Sequence, residues 1–543
     1  LNPIELSAED LAQHLEGIFR GAPLAGEPLE LSEPAFMRLR RRGRSRWFDW
    51  YTGGNLAEAW RLVMTLDEWT GADLLEISLT HSYREIARDR FAKGFPNAFR
   101  GRRGIEISCG YGLLRRSPLE TIAYNRRFGR ELEAFLDKYG IDENGFWRDK
   151  GRIRSFEARQ LLFFLEKPVR CVELYRGNRI VQPAAVDTQM VRDLAGGMLG
   201  WMLANTAKDG RLTYKYWPSR GEESDADNTI RRFMATVALV RAGRQSGRKD
   251  VVEAADRNLR FNLDRFYVDM DDIGGIEWDG SIKLGAVALA ALAILEHPRR
   301  ERYEDTRLKL SACVDRLWRQ DGSFQTFLVP EGRDDNQNFY PGEALLYWAQ
   351  LHGETRDPGL LKRIMMSYRY YRDWHLANRN PAFVPWHSQA YAAVFEQTGD
   401  TELRDWVFQM NDWLLAMQQW GPPLAPDLWG RFHDPKNPQY GPPHASSTGV
   451  YIEGLTDALK LARDCGNEER AAAYERGIWR AVRALRQLQF VDEIDAFYVS
   501  KKEKVLGGLR TETYDNEIRV DNVQHGFMGL MKFSEILDIP LAL

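Results

Sequence analysis

From Asp187 to Leu543 the sequence runs as a succession of helical segments whose linkers alternate between short and long, and this rhythm limits the chain to very few folds. Twelve segments read as helices, near 188–205, 224–243, 250–265, 283–296, 303–319, 337–353, 358–375, 386–398, 401–419, 446–465, 468–489 and 519–537. Even-numbered segments are followed by short polar linkers such as HGETRDP (352–358) and QTGD (397–400). Odd-numbered ones are followed by long linkers rich in Gly, Pro and aromatic residues. Consecutive antiparallel helices then gather every long linker at one end and every short one at the other. A hairpin recurring every ~55–60 residues requires stacked neighbours that share a core.

Composition separates two layers. Segments that follow long linkers are small and nearly uncharged, as in KLGAVALAALAIL (283–295), PGEALLYWAQL (341–351) and TGVYIEGLTDAL (448–459). Their partners carry charge along one face, as in RRERYEDTRLKLSACVDRLWRQ (299–320) and GNEERAAAYERGIWRAVRALRQL (466–488). Helices apolar nearly all round are buried and amphipathic ones enclose them. The expected fold is mainly α: an (α/α)6 toroid of six helical hairpins over 186–543, with a smaller N-terminal α+β domain over 1–185. In that first part, helices are expected near 8–19, 55–67, 79–93 and 118–139. GIEISC (104–109) and RIRSFEARQLLFFL (152–165) read as strands, and LYRGNRIVQP (174–183) as the boundary. This domain carries no recognisable chemistry. It is expected to pack on the ring, narrowing its mouth or mediating assembly into a homo-oligomer.

The inner helices begin at the long-linker rim, so their first turns should converge on the mouth of the ring. Those turns and the linkers before them hold Asp227, Arg231, Lys283, Tyr340, Glu343, Trp386, His387, His444, Tyr451, Glu453, Arg519, Asp521, Gln524 and His525. Ionisable groups on apolar helices are unfavourable unless paired or functional. Each one alone reads as a cap or a salt bridge; six helices repeating the pattern read as a site. Tyr214, Tyr216, Trp278, Tyr340, Trp386 and Trp429 offer aromatic faces on which sugar rings could stack. The alternative is that they close the loops against one another.

On the repeated hairpins, the DGSF (321–324) and GGLR (507–510) loops and WHSQAY (386–391), the C-terminal two-thirds resembles the (α/α)6-toroid carbohydrate-active superfamily. Its glucuronyl C5-epimerase-like, N-acylglucosamine epimerase-like and six-hairpin glycosidase-like members are the nearest in character. The resemblance implies an enzyme acting on an oligo- or polysaccharide, a uronic-acid-containing one among the options, by hydrolysis, elimination or epimerisation. Hydrolysis needs an acid and a second carboxylate; Glu343, on a nearly uncharged helix, is the expected acid and Asp227 or Asp521 the base. Proton abstraction instead needs a Tyr, His or Lys base and an Arg to hold the acid group, for which Tyr340, His387, His525, Lys283, Arg231 and Arg519 are available.

Two other readings compete. DMDD (269–272) matches the DxDD pattern whose central acid protonates a polyene in class II terpene cyclases, and a non-catalytic glycan-binding scaffold would use the same ring. Lysine and arginine total 75 against 78 acidic residues, a net charge of -3, which favours neither nucleic acid nor an anionic membrane. The cluster Arg38, Arg40, Arg41, Arg42, Arg44 and Arg46 is expected to be a solvated surface. Cys109, Cys171, Cys313 and Cys465 lack ligand or disulfide spacing and are expected as buried thiols in a reducing, cytoplasmic setting. No metal or cofactor is called for. No apolar stretch reaches the ~18 residues of a membrane span. The chain opens on Leu1 without a secretory signal, as a chain trimmed of an upstream segment would.

Overall fold

A computed structural model describes residues 3–21, 29–92 and 95–541. The N-terminal part consists of α1 (Ala8–Phe19), β1 (Ala35–Arg41), β2 (Arg44–Tyr51), α2 (Leu56–Met64), β3 (Leu74–Glu85), α3 (Arg88–Ala92), β4 (Arg103–Cys109), β5 (Gly112–Arg116), α4 (Pro118–Ala123), α5 (Phe128–Tyr139), α6 (Glu143–Arg148), β6 (Arg152–Phe164) and β7 (Arg170–Leu174). The strands form one antiparallel sheet in the order β2-β1-β3-β6-β4-β5, with β7 also on β6. Long β6 is the pivot. One of its edges pairs with β3, and the other is shared between β4 and β7.

Three expectations for this region are corrected. The segment 79–93 is mostly strand: LLEISLTHSYRE is β3, and only Arg88–Ala92 is helical within the described residues, because pairing to both β1 and β6 overrides local helical character. The segment 118–139 is two helices, broken where Asn125 takes a left-handed conformation and donates to Asp515. The arginine cluster is split. Arg41, Arg42, Arg44 and Arg46 are exposed, but Arg38 and Arg40 lie on the buried face of β1 turned to α4 and the ring. There Arg38 pairs with Glu120 at 2.9 Å and Arg40 with Glu76. The opposite face, with Met37 and Leu39, packs under α1 and α2. The thiols differ from expectation too: Cys313 is buried, Cys109 and Cys171 are half-buried, and Cys465 is exposed.

The second part contains all twelve expected helices: α7 (Thr188–Ala204), α8 (Thr229–Ser246), α9 (Lys249–Phe266), α10 (Leu284–Glu296), α11 (Glu304–Leu317), α12 (Tyr340–Thr355), α13 (Pro358–Ala377), α14 (Phe383–Thr398), α15 (Thr401–Leu415), α16 (Ala445–Asp464), α17 (Glu468–Leu488) and α18 (Val520–Ile536). The even-numbered helices pack each on the next, and α18 packs back on α8, which closes the ring. α10 is buried at every residue from Leu284 to Leu295, as an inner helix must be. Outer α9 and α17 bury one face each. The linker after α13, only 378–382, departs from the expected alternation.

The long linkers after α7, α9, α11 and α17 are knitted into two small sheets. One joins β10 (Tyr267–Met270), β11 (Ile273–Trp278), β12 (Ser281–Lys283) and β13 (Phe327–Val329). The second joins β8 (Lys215–Trp217), β9 (Glu222–Glu223), β14 (Arg510–Glu512) and β15 (Asp515–Arg519) in the order β14-β15-β8-β9. Neighbouring hairpins are therefore tied by backbone hydrogen bonds at the rim. Among the described residues no helix is long and apolar enough to cross a membrane.

At the α16/α18 crossing the two backbones touch: a Cβ on Gly449 would stand 2.4 Å from the Gly526 nitrogen. Backbone cannot swing aside as a side chain can. Gly449→Ala is therefore expected to destabilise the protein by ~1–3 kcal/mol, read as a lower melting temperature. Gly196→Ala on α7, where a Cβ meets nothing within 4 Å, should be neutral or stabilising by up to ~1 kcal/mol.

Candidate active site

At the long-linker rim the first turns of α8, α12, α14, α16 and α18 enclose a cavity of about 420 Å³. Ten of the residues singled out in the sequence line it: Arg231, Tyr340, Glu343, Trp386, His444, Tyr451, Arg519, Asp521, Gln524 and His525. Tyr440 and His444 come in from the linker between α15 and α16.

Glu343 sits one turn into α12 and is 2% exposed. It fits there because its neighbour on α10 is Gly285, where any Cβ would collide with Oε2. That oxygen has no hydrogen-bond partner among the described residues, and burial pushes the carboxyl up to about 8. Glu343 is thus a neutral acid at pH 7. Burial also pushes Tyr340 up, helped by Glu343, so its phenol stays protonated.

Asp521, at the start of α18, is its electrostatic opposite. Burial alone would raise its carboxyl, but Arg231, Arg519 and His525 outweigh that and hold it below the ordinary carboxylate range. Arg519 grips both oxygens at 3.1 and 3.0 Å, and Arg231 reaches Oδ2 at 3.1 Å while donating to the Tyr214 hydroxyl at 2.5 Å. Two guanidiniums against one carboxylate leave this wall positive.

One turn further along α18, His525 presents its ring to the cavity. Its Nδ1 lies 2.8 Å from Oε1 of Glu453, a fully buried carboxyl on α16 whose other oxygen is unpartnered. Gly449, Gly526 and Gly529 bring α16 and α18 close enough for that contact. Trp386 meets the His525 ring edge-on at 5.7 Å. With Nδ1 engaged by a carboxylate, Nε2 is the nitrogen left to meet a ligand. His444 is pushed down to about 4 by burial and then by Arg519, and is neutral at pH 7.

The other eight candidates, Glu453 among them, lie outside the cavity wall. Asp227 pairs with Arg232 at 2.5 Å, and Tyr214 braces Arg231 from behind. Tyr216 is buried in β8. Trp278 packs on Phe266 at the base of its hairpin. Lys283 is half-buried ahead of α10, its ammonium disfavoured by burial and then by Arg333. Trp429 donates to Leu424 and packs on Trp420, closing its own loop. His387 faces away from the cavity, stacked 3.6 Å over Phe383 with Nδ1 2.9 Å from the Tyr391 hydroxyl; burial holds it well below the usual imidazole range. DMDD forms the exposed turn between β10 and β11, with Asp269 paired to Lys309, so no acid there is enclosed with a substrate. Tyr440 escaped the sequence reading, although NPQYGPPH (437–444), a Pro/Gly-rich approach to an inner helix, is a usable signal. Among the described residues no three His, Cys, Asp or Glu side chains are arranged to hold a metal.

Linkage gives a test that needs no substrate. Glu343 takes up protons in the fold that an unfolded Glu, titrating near 4.5, has already released. Folding stability should therefore fall as pH rises from about 4.5 to about 8, by up to ~1.4 kcal/mol per pH unit, and level off above. Glu343→Gln should flatten this slope, so that the variant gains in melting temperature over the wild type across that window. Parallel pH profiles would show the carboxyl to be ionised.

Neither a family model nor a curated protein matches the sequence. Solved structures do match in fold. A D-mannose isomerase aligns with a TM-score of 0.50 at 10% identity, over 66% of this chain and 100% of its own. A sugar epimerase from a ruminal bacterium gives 0.47 at 10% identity, over 64% and 98%. An unsaturated glucuronyl hydrolase specific for heparin gives 0.46 at 12% identity, over 66% and 100%. The fold shared with the isomerase is the six-hairpin toroid, and at this identity the likeness is one of fold alone.

Proposed function

We propose that the protein is a carbohydrate-active enzyme that moves a proton at a sugar carbon next to a carbonyl or carboxylate, as an epimerase or isomerase does. The observation that carries this reading is that one aromatic-walled cavity holds both a carboxylate-backed imidazole, His525 on Glu453, and a neutral acid, Glu343. His525 Nε2 takes the proton from carbon. The electron pair shifts onto the adjacent oxygen, which Glu343 protonates or hydrogen-bonds; return of a proton to carbon, with the oxygen's proton passing back to Glu343, completes the reaction. Arg231 and Arg519 would hold the oxygen-rich end of the ligand, and Trp386, Tyr340 and Tyr440 would face its apolar surfaces. The toroid shared with a D-mannose isomerase is in keeping with a sugar substrate.

Hydrolysis is the second reading, favoured by one observation: Glu343 and Asp521 are two carboxyls in one cavity whose proton affinities are driven apart. Against it, Asp521 is locked between two arginines, which weakens it as a base.

Incubation with neutral and uronate-containing oligosaccharides in heavy water separates these. Proton transfer predicts solvent deuterium in the sugar without new reducing ends, reduced at least ~100-fold by His525→Asn and by Glu343→Gln. New reducing ends that survive His525→Asn but not Glu343→Gln would replace this reading with hydrolysis. Glycan binding without chemistry, unchanged in Glu343→Gln, would make the ring a binding scaffold.

A further inference from the structure

The ring has a second opening. At the short-linker end the inner helices surround a cavity of about 550 Å³, wider than the candidate site and walled by ion pairs instead of aromatic rings. Arg241 grips Glu296 at 2.8 Å, Lys532 meets Asp457 at 2.5 Å, and Lys460 meets Glu396.

Little separates the two cavities. On α12 the front cavity reaches Glu343 and the rear one begins at Leu346; on α14 the pair is Trp386 and Gln389, and on α18 His525 and Met528. On these three helices the linings stand three residues, about 4.5 Å, apart across a floor; on α16 Tyr451 and Thr456 mark the two sides, and on α8 Met234 and Arg241. An apolar plug would be the ordinary filling for such a place. This floor instead contains Glu453, Gln389 and Gln524, at most 4% exposed, in which Glu453 Oε2, Gln389 Nε2 and both amide atoms of Gln524 have no protein partner. Each buried polar atom left unpaired would cost ~1–3 kcal/mol, so a cluster of them is tolerable where water can reach it.

Glu453 lines neither cavity and lies buried between them. Its Oε1 holds His525, which faces the front cavity beside Asp521. Its charge acts on Arg241 and Asp457, both in the rear wall. Its backbone carbonyl accepts from Lys532 at 3.3 Å, and the same ammonium donates to Gln389 Oε1 and to Asp457.

We propose that the rear cavity is the solvent port of the candidate site, through which water exchanges protons with the His525–Glu453 pair while a ligand fills the front mouth. A ligand in the front cavity covers His525 Nε2, so a proton accepted there must leave by the other side. The Nδ1 proton passes to Glu453 Oε1, and Glu453 releases one to water at the rear; the reverse transfer restores the pair, and no other bond changes. The use of the port by a substrate proton rests on the acid–base reading of His525. The existence of the port does not.

The test therefore uses no substrate. In protein labelled with ¹⁵N-histidine, identified at His525 by comparison with His525→Gln, saturation transfer from water measures exchange of the ring N–H. Ala393→Trp and Gln350→Trp each place an indole in the rear cavity, and Ser447→Trp places one in the front. A rear port predicts that the ring N–H still exchanges when Ser447→Trp closes the front, and that adding either rear variant to Ser447→Trp slows it about tenfold or more, with the fold verified by melting temperature. Exchange abolished by Ser447→Trp alone, or unchanged when a rear indole that leaves the fold intact is added to Ser447→Trp, overturns the port. Either result is independent of whether any sugar is turned over.

Discussion

Six helices can close on themselves around a narrow axis only if neighbouring backbones approach to contact, and the rest of this molecule follows from how that is achieved. At four of the six contacts around the inner ring a glycine sits at the close approach: Gly285 between α10 and α12, Gly342 between α12 and α14, Gly454 between α14 and α16, and Gly449 between α16 and α18. Each removes a side chain where a Cβ would collide with the next helix. The same absences make the chemistry possible. Without the space at Gly285 the Glu343 carboxyl could not tuck into the wall, and without Gly449 and Gly529 the α16 and α18 backbones would stand too far apart for Glu453 to reach His525 at 2.8 Å. Packing constraint and functional geometry are one arrangement.

Two carboxyls in the same cavity show how strongly that arrangement controls proton affinity. Glu343 and Asp521 both begin inner helices, where helix N-termini favour negative charge, and both are buried. They differ in neighbours. Asp521 has two guanidiniums within 3.1 Å, whereas Glu343 is surrounded by glycine, tyrosine and apolar helix, so desolvation acts unopposed. An acid and an ionised carboxylate thus coexist in one cavity at neutral pH, the second held ionised by its arginines.

The architecture was legible because it is written in periodicity and composition. All twelve toroid helices, the division into apolar inner and amphipathic outer layers, and the gathering of polar groups at the long-linker rim follow from the pattern of the chain. Which rim residue faces the axis did not follow. Adjacent positions on a helix differ by about 100° in direction, so Trp386 lines the cavity while His387 stacks on Phe383 behind it. Trp278 and Trp429 satisfied the composition of a sugar platform while closing their own loops. Glu453 was visible as a charge on an apolar helix, but its role depends on a residue 72 positions away. The N-terminal sheet was less readable: β3 and the buried Arg38 and Arg40 owe their state to pairing and to docking on the ring, which local sequence does not encode.

That docking bears on the site from outside. Among the described residues none before Asn228 lines the cavity, yet the N-terminal domain holds the linkers from which the rim is built. Arg176, just past β7, forms a buried ion pair with Asp427 at 2.6 Å and donates to the carbonyls of Ala98 and Arg100. Asp427 belongs to the linker that carries Tyr440 and His444 to the cavity. The α4–α5 turn grips the other linker, with Asn125 donating to Asp515 and Asn516 donating to Ile122, at the strand that leads into Arg519 and Asp521. A buried ion pair adds little net stability, but removal of one partner is strongly unfavourable, so such a pair fixes relative position more than it strengthens the fold. The rim is therefore held in two ways: glycine contacts set the helices that carry Glu343, Glu453 and His525, and the sheet domain sets the linkers that bring Tyr440, His444 and Arg519 to meet them.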